Sequence, residues 1–131
     1  MPNAPGLLLV DDESMLLQLL EIIFSREGYR VFTCTSGQSA IDLFRREHQH
    51  IDLVLLDVCM PEIDGPQTLQ ELQRIQPSVR ACFMSGFTGV YGTEALLGMG
   101  ALRLFDKPFQ IETLIQDISQ LIHSEAQRRA A

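Results

Sequence analysis

Leu7-Leu8-Leu9-Val10-Asp11-Asp12 is the stretch that decides the fold. Four apolar residues without polar alternation suit a short strand covered on both faces, and the aspartate pair ends it abruptly. Working outward, similar runs recur at Tyr29 to Cys34, Asp52 to Leu56 and Arg80 to Met84, with a weaker one at Leu102 to Phe105. Between them, apolar residues return with helical spacing: Leu16, Leu20, Ile23 and Phe24; then Ala40, Ile41 and Phe44; then Leu69, Leu72 and Ile75. The clearest set is Ile111, Leu114, Ile115, Ile118 and Ile122. Gly28 should end the first helix, Pro66 should sit in the first turn of the third, and Gln76-Pro77 should stop it. The leucines of the first helix are expected in the core, with Cys34 and Cys82 as small core residues.

Buried strands alternating with amphipathic helices predict an α/β protein: a doubly wound five-stranded parallel sheet, order 2-1-3-4-5, with five helices on both faces. One helix fits poorly. Gly86, Gly89, Gly92, Gly98 and Gly100 crowd one stretch, and an interior glycine costs about 1 kcal/mol relative to alanine. The fourth helix should therefore be short, late-starting or mobile, packing through Ala95, Leu96 and Met99.

The 131 residues carry 10 basic and 17 acidic side chains, a net charge of −7, and are 46% hydrophobic. That length suits one domain, expected over 6–123 between short tails at 1–5 and 124–131. The hydrophobic fraction is too high for a disordered acidic tail. The acidic balance argues against direct nucleic-acid binding, which relies on clustered Lys and Arg. No apolar run approaches the roughly 20 residues of a membrane span, and the N-terminus lacks a secretory pattern. Cys34, Cys59 and Cys82 read as reduced thiols, which points to the cytoplasm. His48 and His50, in a polar loop, and Arg128 and Arg129, near the end, read as solvated.

In an open α/β sheet, ligands bind beyond the carboxyl ends of the strands, where the strand order reverses. Asp11-Asp12 ends the first predicted strand, Asp57 the third and Ser85 the fourth, and the fifth runs into Lys107-Pro108. Taken singly, each has an ordinary reading as a helix cap, loop acid, turn or solvated lysine. Together they bring three carboxylates, a hydroxyl and an ammonium to one end of the sheet. Three ionised carboxylates need a compensating charge, and an all-oxygen set suits Mg²⁺. With that charge in place, one aspartate can act as a nucleophile toward a phosphoryl group.

Leu8-Leu9-Val10-Asp11-Asp12-Glu13, Asp57-Val58-Cys59-Met60-Pro61-Glu62-Ile63-Asp64-Gly65, Met84-Ser85-Gly86 and Lys107-Pro108-Phe109 occur in this order along almost the whole chain. The set resembles the receiver domain of two-component response regulators, a flavodoxin-like, chemotaxis-regulator-like family. The resemblance implies that Asp57 accepts the phosphoryl group and that Asp12 and Asp57 ligate Mg²⁺ directly. The backbone carbonyl of Cys59 would complete the protein's ligands, with Asp11 acting mainly through water. Ser85 and Lys107 would contact phosphoryl oxygens, and the bond before Pro108 would be cis.

Two positions depart from the family pattern. Leu104 stands where a switch tyrosine or phenylalanine is frequent, and alternation should turn the neighbouring Phe105 to the opposite face. Cys59 stands where polar side chains are frequent; a thiolate ligand does not suit hard carboxylate neighbours.

The implied function is a phosphorylation-controlled conformational switch. A sensor histidine kinase or histidine phosphotransfer protein would supply the phosphoryl group, a downstream protein target would read the change, and a homodimer could form on phosphorylation. Such a domain assists only its own phosphorylation and dephosphorylation and is not otherwise an enzyme. It could stand alone or be part of a longer regulator or hybrid kinase. The alternatives are a degenerate receiver used as an interaction module and a Mg²⁺-dependent phosphohydrolase with an aspartyl intermediate. The latter lacks a second aspartate at position 59, and little room for a substrate is expected. A nucleotide or flavin module is disfavoured because Asp11-Asp12-Glu13 would repel phosphate.

Overall fold

The structure, a computed structural model, describes residues 4–86 and 91–130. The elements run β1 (Gly6–Val10), α1 (Ser14–Arg26), β2 (Arg30–Cys34), α2 (Gly37–Glu47), β3 (Leu53–Asp57), α3 (Gly65–Ile75), β4 (Ala81–Ser85), α4 (Thr93–Gly98), β5 (Leu104–Asp106) and α5 (Ile111–Ala130). All strands pair in parallel in the order β2-β1-β3-β4-β5, as the alternating pattern predicts. The order reverses at β1, whose neighbours are β2 and β3.

Strand alternation divides the core into two. Leu8, Val10, Val54, Leu56 and Phe83 face one side, with Ala40, Phe44, Leu69 and Leu96 from α2, α3 and α4. Leu7, Leu9, Leu53, Leu55, Cys82 and Met84 face the other, with Leu17, Leu20 and Phe24 of α1 and Leu114, Ile118 and Ile122 of α5. Covering both faces explains why β1, β3 and β4 are buried throughout and apolar up to their terminal residues. Cys34 and Cys82 lie in these cores. Leu104 packs toward the first core and Phe105 toward the second, the opposite facing expected of neighbours in a strand.

The local signals agree with the element ends. Gly28, at φ +95°, follows the last turn of α1. Pro66 occupies the first turn of α3, and Gln76 ends that helix. Asp64 and Gln67 form a reciprocal cap there: Asp64 Oδ1 accepts from the Gln67 amide and Gln67 Oε1 from the Asp64 amide, both at 2.9 Å. The fourth helix is short and late, as its glycines imply, covering six residues from Thr93. Gly89 lies outside the described residues.

Three expectations are corrected. Of the expected α1 face Leu16, Leu20, Ile23 and Phe24, Leu20 and Phe24 are buried, but Leu17 joins them and Leu16 and Ile23 are only half-buried. Leu19 is 48% exposed, Met15 83% and Ile22 52%, so the leucines of this helix are not all core. One helix has a single face toward the sheet, and positions 15, 19 and 22 lie on the other side. Residues 124–130, read as a tail, continue the helical backbone of α5, and the side chains of Arg128 and Arg129 lie outside the described set. Residues 48–50 form a single 3₁₀ turn rather than a loop. There His48 Nδ1 donates to the Phe44 carbonyl at 3.1 Å, an oxygen that also accepts the His48 backbone amide at the end of α2.

Candidate functional site

The carboxyl ends of β1, β3, β4 and β5 converge, as an open α/β sheet requires at its switch point. Asp11 directly follows β1, and its amide donates to the Cys34 carbonyl of β2 at 3.1 Å. Its carboxylate is fully buried and doubly used: Oδ1 accepts from the Glu13 amide at 2.8 Å, and Oδ2 from Lys107 Nζ at 2.5 Å. Asp57 is the last residue of β3 and is also buried. Its Oδ1 lies 3.5 Å from Lys107 Nζ, and Glu13 Oε1 lies 3.7 Å from the same ammonium. The peptide before Pro108 is cis, as the family resemblance implies.

Asp11, Asp12 and Asp57 each offer an oxygen within 4.8 Å of the others. An oxygen set of that span fits a hard divalent cation, and exposed Asp12 leaves the cluster open toward water. The strain of crowding is visible in Asp57. Burial, and then the charge of Asp11, push its carboxyl up to about 6, against the opposing pull of Lys107 and with a smaller push from Asp12. Burial works against the Lys107 ammonium, but the Asp11 hydrogen bond and the charges of Asp57, Asp11 and Glu13 outweigh it and hold its pKa above the ordinary lysine value.

Ser85, the last residue of β4, is buried, and its Oγ has no hydrogen-bond partner among the described residues. Leaving a buried hydroxyl unsatisfied costs about 1–3 kcal/mol. Cys59 is exposed at the rim. Burial and the charges of Asp57 and Asp64 push its thiol up, which disfavours a thiolate ligand here. Gly65 makes the turn after Asp57 possible: a Cβ there would stand 2.3 Å from the Asp57 carbonyl oxygen. Its amide donates to the Val58 carbonyl at 2.9 Å, so the start of α3 rests on the backbone next to Asp57.

Beside the carboxylates lies an open groove of about 780 Å³, walled by Leu16 and Leu19 of α1 and by Pro108, Phe109 and Ile111 ahead of and within α5. This corrects the expectation of little room near Asp57. Of the residues singled out from sequence, Asp11, Asp12, Asp57 and Lys107 share one cluster, and Ser85 and Cys59 border it. Leu104 does not belong to it; the residue pairs with Phe83 in the sheet and packs under the α4 side. Glu13 went unassigned in the sequence reading, although it directly follows the aspartate pair. Tyr91 was also missed; its hydroxyl donates to Asp64 Oδ2 at 2.8 Å, a contact between residues 27 apart that no local pattern signals.

A family model described as the response regulator receiver domain matches residues 7–119. Response regulator SaeR of Staphylococcus aureus is 34% identical over 116 residues, covering 88% of this chain and 50% of that protein. The chain thus spans about half the length of the curated relatives it matches. Among solved structures, the CheX–CheY–BeF₃–Mg²⁺ complex from Borrelia burgdorferi aligns at 26% identity with a TM-score of 0.81, covering 88% of this chain and 87% of that one. TrrA from Thermotoga maritima, solved in complex with Mg²⁺ and BeF, aligns at 26% identity and a TM-score of 0.76, covering 89% and 98%. The order of the strands, the acidic cluster at their carboxyl ends and these matches converge on one assignment: the chain belongs to the family of response regulator receiver domains.

Proposed function

We propose that Asp57 is the phosphoacceptor of a Mg²⁺-dependent switch, charged by a sensor histidine kinase or a histidine phosphotransfer protein. The observation that carries this reading is the pairing of a buried carboxylate, 3.5 Å from an ammonium, with a buried hydroxyl at the end of the adjacent strand that has no partner among the described residues. An incoming phosphoryl group would meet a nucleophile, a cation and a hydrogen-bond donor already in place.

Asp12, Asp57 and the backbone carbonyl of Cys59 would hold Mg²⁺, with Asp11 acting through water. When bound, the ion supplies positive charge that offsets the carboxylates and the phosphoryl oxygens. An Asp57 carboxylate oxygen attacks phosphorus, the phosphorus–nitrogen bond of the donor phosphohistidine breaks, and its electron pair stays on the imidazole nitrogen, which then takes a proton. The aspartyl phosphate adds a charge of roughly −1.5 to −2, by analogy with other phosphorylated side chains. Lys107 shifts from Asp11 and Asp57 toward the new oxygens, and the Ser85 hydroxyl donates to one of them. Leu19 lines the groove, and with the exposed Met15 and Ile22 of the same helix it would give the donor protein an apolar face to dock on. A downstream protein reads the shifted state, a homodimer forms on phosphorylation, and the work takes place in the cytoplasm. Among the described residues no helix is long and apolar enough to cross a membrane.

The test is labelling and NMR on the same protein. Acetyl phosphate with Mg²⁺ should label wild type but not Asp57→Asn, and beryllofluoride with Mg²⁺ should move amides mainly between Ser85 and Gln110. Label persisting in Asp57→Asn, or an unchanged spectrum, would refute the switch. Steady turnover of small phosphate esters, which the groove has room to admit, would instead favour a hydrolase.

A further inference from the structure

α4 has little of its own to hold it. It is six residues long, Leu96 is its buried side chain, and Leu97 is 42% exposed. Its N-cap is Gly92, which offers no side chain to the first-turn amides. Both ends are instead tied to α3. At the start, Tyr91, immediately before the N-cap, donates its hydroxyl to Asp64 Oδ2 at 2.8 Å. At the finish, Gln73 Nε2 of α3 donates to the carbonyl of Met99, the C-cap, at 2.9 Å.

The N-terminal tie leads directly to the phosphorylation site. Asp64 uses its other carboxylate oxygen to cap α3, accepting from the Gln67 amide. The turn from Asp57 to Asp64 has no slack: Gly65 N bonds Val58 O, the Gly65 Cα lies against the Asp57 carbonyl, and Glu62 within the turn holds φ at +69°. A non-glycine residue at that φ persists only where its surroundings over-determine it. Hydrogen bonding to Asp64, helped by burial and by the Asp64 charge, pushes the Tyr91 phenol up, so it remains a donor across the working pH range.

We propose that Tyr91 is the positioning contact between the phosphorylation site and α4: its bond to Asp64 makes α4 follow the β3–α3 turn that begins at Asp57. The tether stands on the geometry alone. The coupling to phosphorylation rests on the proposed function. In this arrangement α3 and α4 respond as a clamped pair, and the state of Asp57 reaches α4 by a route that uses neither Leu104 nor Phe105.

The experiment is amide hydrogen exchange by NMR on the full chain, using wild type, Tyr91→Phe, Asp64→Ser and the double variant. Serine can still cap α3 but cannot reach Tyr91. In chelator, exchange at the α4-region amides of Leu96, Met99 and Gly100 should quicken about fivefold in Tyr91→Phe, the scale of one partly exposed hydrogen bond. Asp64→Ser should match it, and the double variant should add nothing further. Unchanged protection in Tyr91→Phe, or additive effects in the double variant, would overturn the tether; should Asp64→Ser fail to fold, Tyr91→Phe alone decides. With beryllofluoride and Mg²⁺, Tyr91→Phe should keep the wild-type response at Ser85 and Lys107 while losing at least about half of it at α4. A full α4 response in Tyr91→Phe would overturn the coupling. No response anywhere in wild type would overturn the phosphorylation reading, and the coupling with it, while the exchange measurements still judge the tether.

Discussion

Replacing Asp57 with asparagine should stabilise the metal-free protein near neutral pH. The folded state holds this carboxyl at about 6 rather than at its usual 3.8, chiefly because it is buried and next because Asp11 stands beside it. Each tenfold change in proton affinity is worth about 1.4 kcal/mol, so ionising Asp57 in the folded protein costs about 3 kcal/mol more than in the unfolded chain. Between pH 3.8 and about 6 the folded state binds more protons than the unfolded state, so stability falls as pH rises through that window and levels off above it. Asparagine keeps the shape and removes the charge, while Lys107 retains Asp11 at 2.5 Å. Relaxation around the site offsets part of the gain, leaving an expected stabilisation of about 1.5–3 kcal/mol at pH 7.5. Urea denaturation in chelator measures it as a midpoint shift of about 0.5–3 M, for a slope of about 1–3 kcal/mol/M. The gap should close toward pH 4, and Mg²⁺ should narrow it by stabilising wild type more than the variant. A variant no more stable than wild type at pH 7.5 without metal, or a gap that widens on acidification, would refute this account of the carboxylate cluster.

Lys107→Ala should leave Mg²⁺ affinity largely intact, since an ammonium competes with the ion, yet uncouple phosphorylation from the amide shifts; calorimetry showing lost Mg²⁺ binding would mean the lysine is misassigned. Gly65→Ala should cost about 2–3 kcal/mol, because the new Cβ would stand 2.3 Å from the Asp57 carbonyl oxygen. A loss below about 0.5 kcal/mol in the same urea assay would show that the turn can yield, contrary to the packing seen here. Leu19→Glu, at a half-exposed position, should change stability by no more than about 0.5 kcal/mol. It should slow phosphotransfer from a partner kinase at least about tenfold while labelling by acetyl phosphate stays normal; equal slowing of both would remove α1 from the docking face.

Much of the fold was legible because its physics is local. A strand covered on both faces must be apolar at consecutive positions, as Leu7 to Val10 and Leu53 to Leu56 are, and helices between such strands must carry an apolar stripe. The site was legible for a related reason: a doubly wound sheet brings its strand ends together, so Asp11, Asp57, Ser85 and Lys107 could be placed near one another before any distance was known. The orientation of α1 was not. Eight of its thirteen residues are Leu, Ile, Phe or Met, and such a helix presents more than one apolar face. Only packing against Leu7, Leu9 and α5 selects Leu17, Leu20 and Phe24 and leaves Met15, Leu19 and Ile22 outside.

By itself, then, the order of residues determined the sheet, its strand order and the identity of the acidic cluster, because periodicity and chain reversal constrain these without reference to distant contacts. Tertiary structure alone decided which ammonium–oxygen pair is shortest, that Ser85 Oγ has no partner among the described residues, that a groove opens beside Asp57, and that Tyr91 reaches Asp64. Those features depend on side chains far apart in the chain meeting within hydrogen-bond distance, and no local pattern encodes such a meeting.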